Sequence, residues 1–149
     1  MYRHILIASD GSELAGKGLD AGLALAAALG ARATLVTVSD PWQAIMAAEP
    51  SAVALGAEVR EEQRREHRAH AQTVIDDAQA RAARAGVALD AIYVPERLPD
   101  EAILETADSC GADLIVMGAF GRSRLREAMI GSTTGTLLTR SAVSLLVSH

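Results

Sequence analysis

The sequence predicts an α/β protein built on a doubly wound sheet of five parallel strands. Short segments rich in apolar and β-branched residues alternate along the chain with longer segments of helical periodicity. Such alternation favours parallel pairing and right-handed crossovers. The fourth apolar segment, residues 113–117 (DLIVM), is almost uninterrupted, which indicates a strand buried on both faces. The length of 149 residues predicts a single domain, residues 1–149.

The first strand is expected over residues 4–9 (HILIAS), which Asp10 and Gly11 end. Ser12 has the side chain of a typical N-cap, so a helix is expected to begin after it and to end near Leu29. A stripe that includes small residues is expected to let this helix lie close to the sheet: Leu14, Gly18, Ala21, Gly22, Leu25 and Leu29.

A second strand is expected over residues 33–38 (ATLVTV), because β-branched residues dominate it. Residues 40–57 contain two prolines and the single tryptophan, and they predict a long connection, either a binding loop or an insertion without function. A long helix is expected over residues 58–85. Its first half carries a balanced set of acidic and basic residues, which is typical of a solvated face and leaves a partner site as the alternative.

The remaining elements follow the same alternation. Proline in the first turn and glycine after the end mark one further helix. The expected elements are a strand over 88–94, a helix over 99–110, a strand over 113–117, a helix over 132–140 and a last strand over Val143–Val147.

Composition argues against several classes of protein. The net charge of −5 and the aromatic content of 3% disfavour nucleic-acid binding, which needs basic surfaces and stacking platforms. The apolar runs are too short to span a membrane, and Asp10 interrupts the N-terminal run too early for a good signal peptide. The single cysteine, Cys110, allows no disulfide framework or cysteine metal cluster. We therefore expect a cytoplasmic protein without nucleic-acid or membrane partners.

Two glycine patterns could bind phosphate. The first, Gly11 to Gly18, has the spacing G-x4-G-K of a phosphate-binding loop. A true loop of this type needs serine or threonine after the lysine to hold Mg²⁺, and Gly18 stands there instead. Ser12 also begins the helix too early. We interpret this pattern as a chance near-match.

The second pattern follows the fourth strand and ends at the start of a helix. Gly118 and Gly121 are expected to adopt positive φ and to admit a ligand close to the backbone, and Gly131 to do the same at the helix start. The N–H groups of residues 132–134 and the hydroxyl groups of Ser132 and Thr133 would then form an anion site. By spacing alone, three ordinary turn glycines remain the alternative.

Four segments of the sequence carry a resemblance to a known family: the pattern G-x2-G-x9-G-S, the opening HILIASDGSE, and the segments LALAAALGARATLVTVSDPW and ADLIVMGAFGRSRL. Through them the chain resembles the universal stress protein family over essentially its whole length. The resemblance implies a Rossmann-like sheet of order 3-2-1-4-5, similar to adenine nucleotide alpha hydrolases. It also implies an ATP cleft and a homodimer through the last strand, Val143–Val147. An apolar strand at a sheet edge favours such pairing as well.

Carried over by position, the resemblance implies that the end of the second strand meets the adenine, that the end of the fourth lies near the ribose and that the last helix start holds the phosphates. The implied nucleotide-binding residues are Ala8, Ser9, Asp10, Val38, Met117, Gly118, Gly121, Arg122, Gly131, Ser132, Thr133 and Thr134. Asp10 could serve the nucleotide, a Mg²⁺ ion that accompanies it, or only the turn that it occupies. Phe120 departs from the polar or basic residue common in the family.

These observations leave three classes of function. The first is an ATP-binding stress or regulatory protein, with ADP or AMP as alternative ligands. The second is a dimeric interaction module without nucleotide, which Phe120 favours. The third is an enzyme, at most a weak ATPase, because no convincing general base or nucleophile is evident. His67 and His70 lie three residues apart on a helix but lack further metal-ligand spacing, so surface histidines are the favoured interpretation.

Overall fold

A computed structural model of the chain describes residues 1–40, 56–119 and 132–149. Strands and helices alternate along these residues. In chain order they are β1 (His4–Ala8), α1 (Glu13–Leu29), β2 (Arg32–Val38), α2 (Gly56–Ala85), β3 (Leu89–Val94), α3 (Pro99–Cys110), β4 (Leu114–Gly118), α4 (Ser132–Arg140) and β5 (Ser144–Ser148). The elements agree with the predicted ones to within one or two residues at each end. Most of the expected connection over residues 40–57 lies outside the described residues.

The five strands form one parallel sheet of order β3-β2-β1-β4-β5, which confirms the predicted fold class. β1 lies in the centre, where Ile7 is paired with Leu35 of β2 on one side and with Val116 of β4 on the other. All five residues of β4 are buried, as its apolar run predicts. Because all strands are parallel, their carboxyl ends lie at the same edge of the sheet.

Alternating residues of the strands supply two separate hydrophobic cores. Ile5 and Ile7 of β1 pack with α1 and α2 on one face of the sheet, whereas Leu6 and Ala8 pack with α3 and α4 on the other. The alternation follows from the two-residue period of a strand. The result is a three-layered arrangement in which no face of the central strand is left to solvent.

Helix α1 begins as predicted but presents a slightly different face. The Ser12 hydroxyl accepts a hydrogen bond from the N–H of Ala15 at 3.2 Å, so Ser12 is the N-cap. Gly18 and Gly22 are buried as expected, but the predicted stripe is rotated from the true one. The buried residues are Ala15, Gly18, Leu19, Gly22, Leu23 and Ala26. A Cβ on Gly22 would lie 2.8 Å from Ile7, so small residues do allow the close approach.

The amino ends of β1 and β4 are joined by the carboxylate of Asp113. It accepts hydrogen bonds from the N–H groups of Arg3 and His4 at 2.9 and 3.0 Å. These two groups lower the pKa of Asp113, the Arg3 bond having the larger effect. The buried ring of His4 on β1 also contacts the buried hydroxyl of Thr34 on the neighbouring strand, β2, at 2.8 Å. These contacts lie at the sheet edge opposite the candidate site.

Candidate functional site

The candidate site is the carboxyl edge of the sheet around β1. Strand order reverses there, since the chain leaves β1 towards β2 on one side and later adds β4 on the other. In doubly wound sheets a ligand cleft opens at such a reversal. The ends of β1, β2 and β4 bring Ser9, Asp10, Val38 and Met117 to this edge, as the sequence predicts.

A pocket opens beside β1 at this edge, between the sheet and helix α2. Its empty volume is about 360 Å³, including its open mouth. Predicted and unpredicted residues share its lining, which consists of Asp10, Thr37, Val38, Ser39, His67, His70, Ala71 and Tyr93. Of the predicted site residues, the pocket therefore gathers Asp10 and Val38.

Asp10 lies in a turn that its own side chain stabilises. Its Oδ1 atom accepts a hydrogen bond from the N–H of Ser12 at 2.9 Å, and the Ser9 hydroxyl accepts one from the N–H of Gly11 at 3.3 Å. Gly11 has a φ of +80°, which glycine adopts without strain. The turn role, one of the roles left open for Asp10, is thus observed.

Helix α2 holds the same turn from the opposite side. The Nε2 atom of His70 lies 3.0 Å from the main-chain oxygen of Asp10. A carbonyl oxygen only accepts hydrogen bonds, so Nε2 carries the proton and donates it. His67, one turn earlier, also lines the pocket. No group of three histidine, cysteine or acidic residues within the described ranges could hold a metal ion, so the paired histidines gain no support as ligands.

Ser39 organises the far wall of the pocket. Its hydroxyl lies 3.0 Å from the hydroxyl of Tyr93 and accepts a hydrogen bond from the N–H of Glu96 at 3.0 Å. The Glu96 carboxylate accepts a bond from Arg64 of α2 at 3.1 Å, which raises the pKa of that guanidinium through the hydrogen bond and through charge. The wall is therefore tied to both the turn after β3 and helix α2.

Gly118 differs from its expected conformation and has a packing role that the sequence did not predict. It ends β4, and its φ is not positive. A Cβ there would lie 2.6 Å from the carbonyl carbon of Leu14 and would clash with its oxygen, while a Cβ on Gly18 would lie 2.6 Å from the nitrogen of Gly118. The two glycines let α1 cross the end of β4. The expected positive φ of Gly118 was therefore wrong, and the packing of α1 accounts for the missing side chain. The approach of a ligand to its backbone stays a prediction.

The start of α4 lies at the end of β4. The buried Thr134 hydroxyl donates a hydrogen bond to the carbonyl of Ala119 at 3.4 Å, which anchors the first turn of the helix to the strand. Ser132 is exposed and Thr133 is half-buried. Ser132 therefore lies at the surface beside the strand ends, and Thr133 lies there in part.

Other predicted residues contribute their main chain or lie elsewhere. The side chains of Ala8 and Met117 are buried in the core beneath α3 and α4, so only their main-chain groups reach the edge. Gly121, Arg122 and Gly131 lie outside the described residues, as does Phe120.

Sequence reasoning missed five polar residues of the pocket: Thr37, Ser39, Tyr93 and, as pocket residues, His67 and His70. Tyr93 reaches the pocket because β3 pairs with β2 in a register that sets Thr37 opposite Tyr93. No local pattern specifies that register. The histidines carried one signal, their spacing of three residues, which correctly placed them on the same side of a helix.

Comparisons with known proteins agree on one family. The model of the family described as the universal stress protein family matches residues 1–149. Universal stress protein YxiE of Bacillus subtilis is 29% identical over 147 residues, which are 99% of each chain. The solved structure of protein MJ0577, a universal stress protein of Methanocaldococcus jannaschii, has a TM-score of 0.84 at 25% identity and covers 99% of this chain and 96% of that one.

A further neighbour was solved with a ligand. It is a universal stress protein in complex with cAMP, with a TM-score of 0.71, 24% identity and coverage of 99% of this chain and 97% of that one. At this identity the likeness shows the shared fold. Within the described residues, no helix combines the length and the apolar character needed to cross a membrane.

Proposed function

The chain belongs to the universal stress protein family, and we propose that it binds an adenine nucleotide, ATP in the first place, at the carboxyl edge of its sheet. The observation that carries the proposal is the pocket lined by Asp10 and Val38, which opens at the strand reversal on the same edge as the start of α4. The cAMP complex of a protein with this fold supports an adenine nucleotide as the ligand class.

In this proposal the ligand binds across two neighbouring regions of the sheet edge. Val38 and the pocket beside it receive the base, and the ends of β1 and β4 (Ala8, Ser9, Met117 and Gly118) lie beneath the sugar. The N–H groups of residues 132–134 bind the phosphates, since a helix start favours anions. Gly121, Arg122 and Gly131 complete the phosphate loop in this proposal, and an arginine suits phosphate oxygens.

Mg²⁺ would accompany the nucleotide. Such an ion is usually held by phosphate oxygens, waters and only one or two protein carboxylates, so a three-residue protein site is unnecessary. Asp10 is the acidic residue among those that line the pocket. Its carboxylate suits Mg²⁺ in its chemistry, and the ion would supply charge neutralisation for the phosphates.

The nucleotide acts as a ligand or switch of a cytoplasmic stress or regulatory protein in this proposal. A ligand shifts the population of the protein towards the state that binds it better. ADP and AMP remain alternative ligands, and turnover above about 1 s⁻¹, the low end of ordinary enzyme rates, would argue for an enzyme instead.

We also propose a homodimer through β5, the strand that the sequence predicts over Val143–Val147. β5 is an edge strand, and Leu146 on it and Leu138 on α4 are exposed large apolar side chains. An apolar edge favours pairing with a second copy. The same observation supports the second candidate function, a dimeric interaction module without nucleotide. Binding measurements separate the two candidates.

The decisive experiment begins with protein purified without added nucleotide and then denatured. Mass spectrometry of the released small molecules is expected to find ATP or ADP, and calorimetric titration of stripped protein with ATP and Mg²⁺ is expected to show binding. Ser132→Glu places a carboxylate at the start of α4, and Gly121→Val crowds the glycine loop, so both should weaken binding at least about tenfold. Ser109→Glu, on α3, is the matched control. Wild-type protein that releases no nucleotide on denaturation and does not bind added ATP would instead favour the interaction module.

A further inference from the structure

The hydroxyl groups of Ser39 and Tyr93 form a pair on the pocket wall, and one of their two hydrogens has no acceptor among the described residues. Within the described residues the pair makes two bonds: the 3.0 Å contact between the two oxygens, and the bond that Ser39 accepts from the N–H of Glu96. The two hydroxyl groups own two hydrogens, and their mutual bond uses one. Whichever group donates, the other retains a hydrogen that it can donate to a third partner.

The pair is held in place by the backbone around it. The N–H of Ser39 donates to the carbonyl of Val94 at 3.1 Å, and the carbonyl of Ser39 accepts from the N–H of Arg97 at 3.1 Å. Glu96 has a φ of +53°, which is uncommon for a residue with a side chain and persists where surrounding contacts enforce it. Its bonds to Ser39 and to Arg64 supply such contacts. Because the donor is already held in place, little conformational entropy is lost when a ligand binds to it.

The charge of the lining suits a neutral group. Asp10 lies on this lining, and neither lysine nor arginine belongs to it among the described residues. With an acidic residue and no lysine or arginine in its described part, the lining suits a phosphate group less well than the start of α4 does. A neutral heteroaromatic ring with unprotonated nitrogen atoms would instead accept the spare hydrogen.

We propose that the Ser39–Tyr93 pair is a specificity determinant that donates one hydrogen bond to a ring nitrogen of the bound nucleobase. The inference rests on the proposed function and deepens it, because it assigns a base-reading role to the side chains of Ser39, directly after β2, and Tyr93 on β3. In the free protein water accepts the spare hydrogen, and the ring nitrogen replaces that water. A base lacking the nitrogen leaves the donor without a partner, which carries a cost in affinity.

The test uses ATP and its 1-deaza, 3-deaza and 7-deaza analogues, in each of which a C–H group replaces one ring nitrogen. Calorimetric titration of the wild-type protein should find one analogue about tenfold weaker than ATP. The double variant Ser39→Ala/Tyr93→Phe should bind that analogue and ATP equally well. The double variant is needed because each single variant keeps one hydroxyl hydrogen. Tyr2→Phe/Ser109→Ala removes the same two groups away from the pocket and should discriminate as the wild type does.

Two results would overturn the inference: equal affinity of the wild type for ATP and all three analogues, or undiminished discrimination by the double variant. Loss of the Ser39 hydroxyl also removes the acceptor for the N–H of Glu96. The double variant is therefore repeated with Glu96→Gly, because glycine adopts the same φ freely. Failure of the wild type to bind ATP, ADP or AMP would refute the proposed function, whereas binding without discrimination would refute only the role of the pair.

Discussion

His70 of α2 donates a hydrogen bond from Nε2 to the main-chain oxygen of Asp10, 60 residues earlier in the chain, across 3.0 Å. The imidazole ring also packs on the turn, since its Cε1 atom lies 3.5 Å from the position that a Cβ on Gly11 would take. Val74, one helical turn further, lies 2.7 Å from the same position. The helix therefore sets the place of the turn that presents Asp10 to the pocket.

His70→Ala should weaken the binding of ATP and Mg²⁺ about tenfold, because the Asp10 turn loses its bond to α2. His70→Gln should restore most of the affinity, since the Gln amide can donate in place of Nε2. Calorimetric titration measures both. Thr73→Ala is the control on α2, because the Thr73 hydroxyl donates to the carbonyl of Ala69 within the same helix. Unchanged affinity of a folded His70→Ala protein would contradict the positioning role.

Gly118→Ala should lower the free energy of unfolding by about 1–3 kcal/mol, because the added methyl group would overlap the backbone of α1 at Leu14. Gly135→Ala in α4 is the matched control. A Cβ there has no neighbour within 4 Å among the residues that the structure describes, and alanine favours a helix, so this variant should be as stable as the wild type or slightly more stable. Urea denaturation measures both. Equal stability of the two variants would refute the close crossing of α1 over β4.

Leu146→Arg should shift the protein from dimer to monomer, with a dissociation constant raised at least about tenfold, because a charge would be placed on the proposed β5 interface. Leu98→Arg is the control: Leu98 is 38% exposed and Leu146 37%, but Leu98 precedes α3, away from β5. Light scattering during size-exclusion chromatography reports the mass of each variant. A dimer that survives Leu146→Arg, or one that only Leu98→Arg disrupts, would place the interface elsewhere.

Asp113→Asn should lower the melting temperature at pH 7 but not at low pH. The N–H groups of Arg3 and, to a smaller extent, His4 lower the pKa of Asp113 in the folded protein. A lowered folded pKa means that the carboxylate stabilises the fold above its unfolded pKa of about 4. That stabilisation is lost as the pH falls through the folded pKa. Thermal unfolding from pH 7 to pH 2 should therefore show the two proteins converging; a constant difference would contradict the assignment.

Much of the fold was predictable from local patterns. Ser12 as N-cap, Pro99 in the first turn of α3 and the buried run of β4 follow from capping chemistry, backbone restriction and hydrophobic periodicity, which act over a few residues. The periodicity of α1 was less informative. Alanine and glycine are small enough to be buried or exposed, so the buried stripe could be located only approximately.

The candidate site was predictable only in part. Asp10 and Val38 follow strand ends, and strand ends of a parallel sheet converge at one edge. The contribution of Gly118 to the packing of α1 could not be recognised, because Gly18 lies a hundred residues away in the sequence. The same glycine pattern fits a ligand or a crossing helix equally well.

The sequence by itself determined the order of strands and helices, the strands buried on both faces and the residues that end the strands at one edge of the sheet. These features depend on short-range periodicity and on the geometry of parallel crossovers. Only the tertiary structure decided which polar side chains share the pocket. Ser39 meets Tyr93 through the register of β2 and β3, and Asp10 meets His70 through the packing of α2. Both contacts join distant segments, and the packing of the whole core sets their distances.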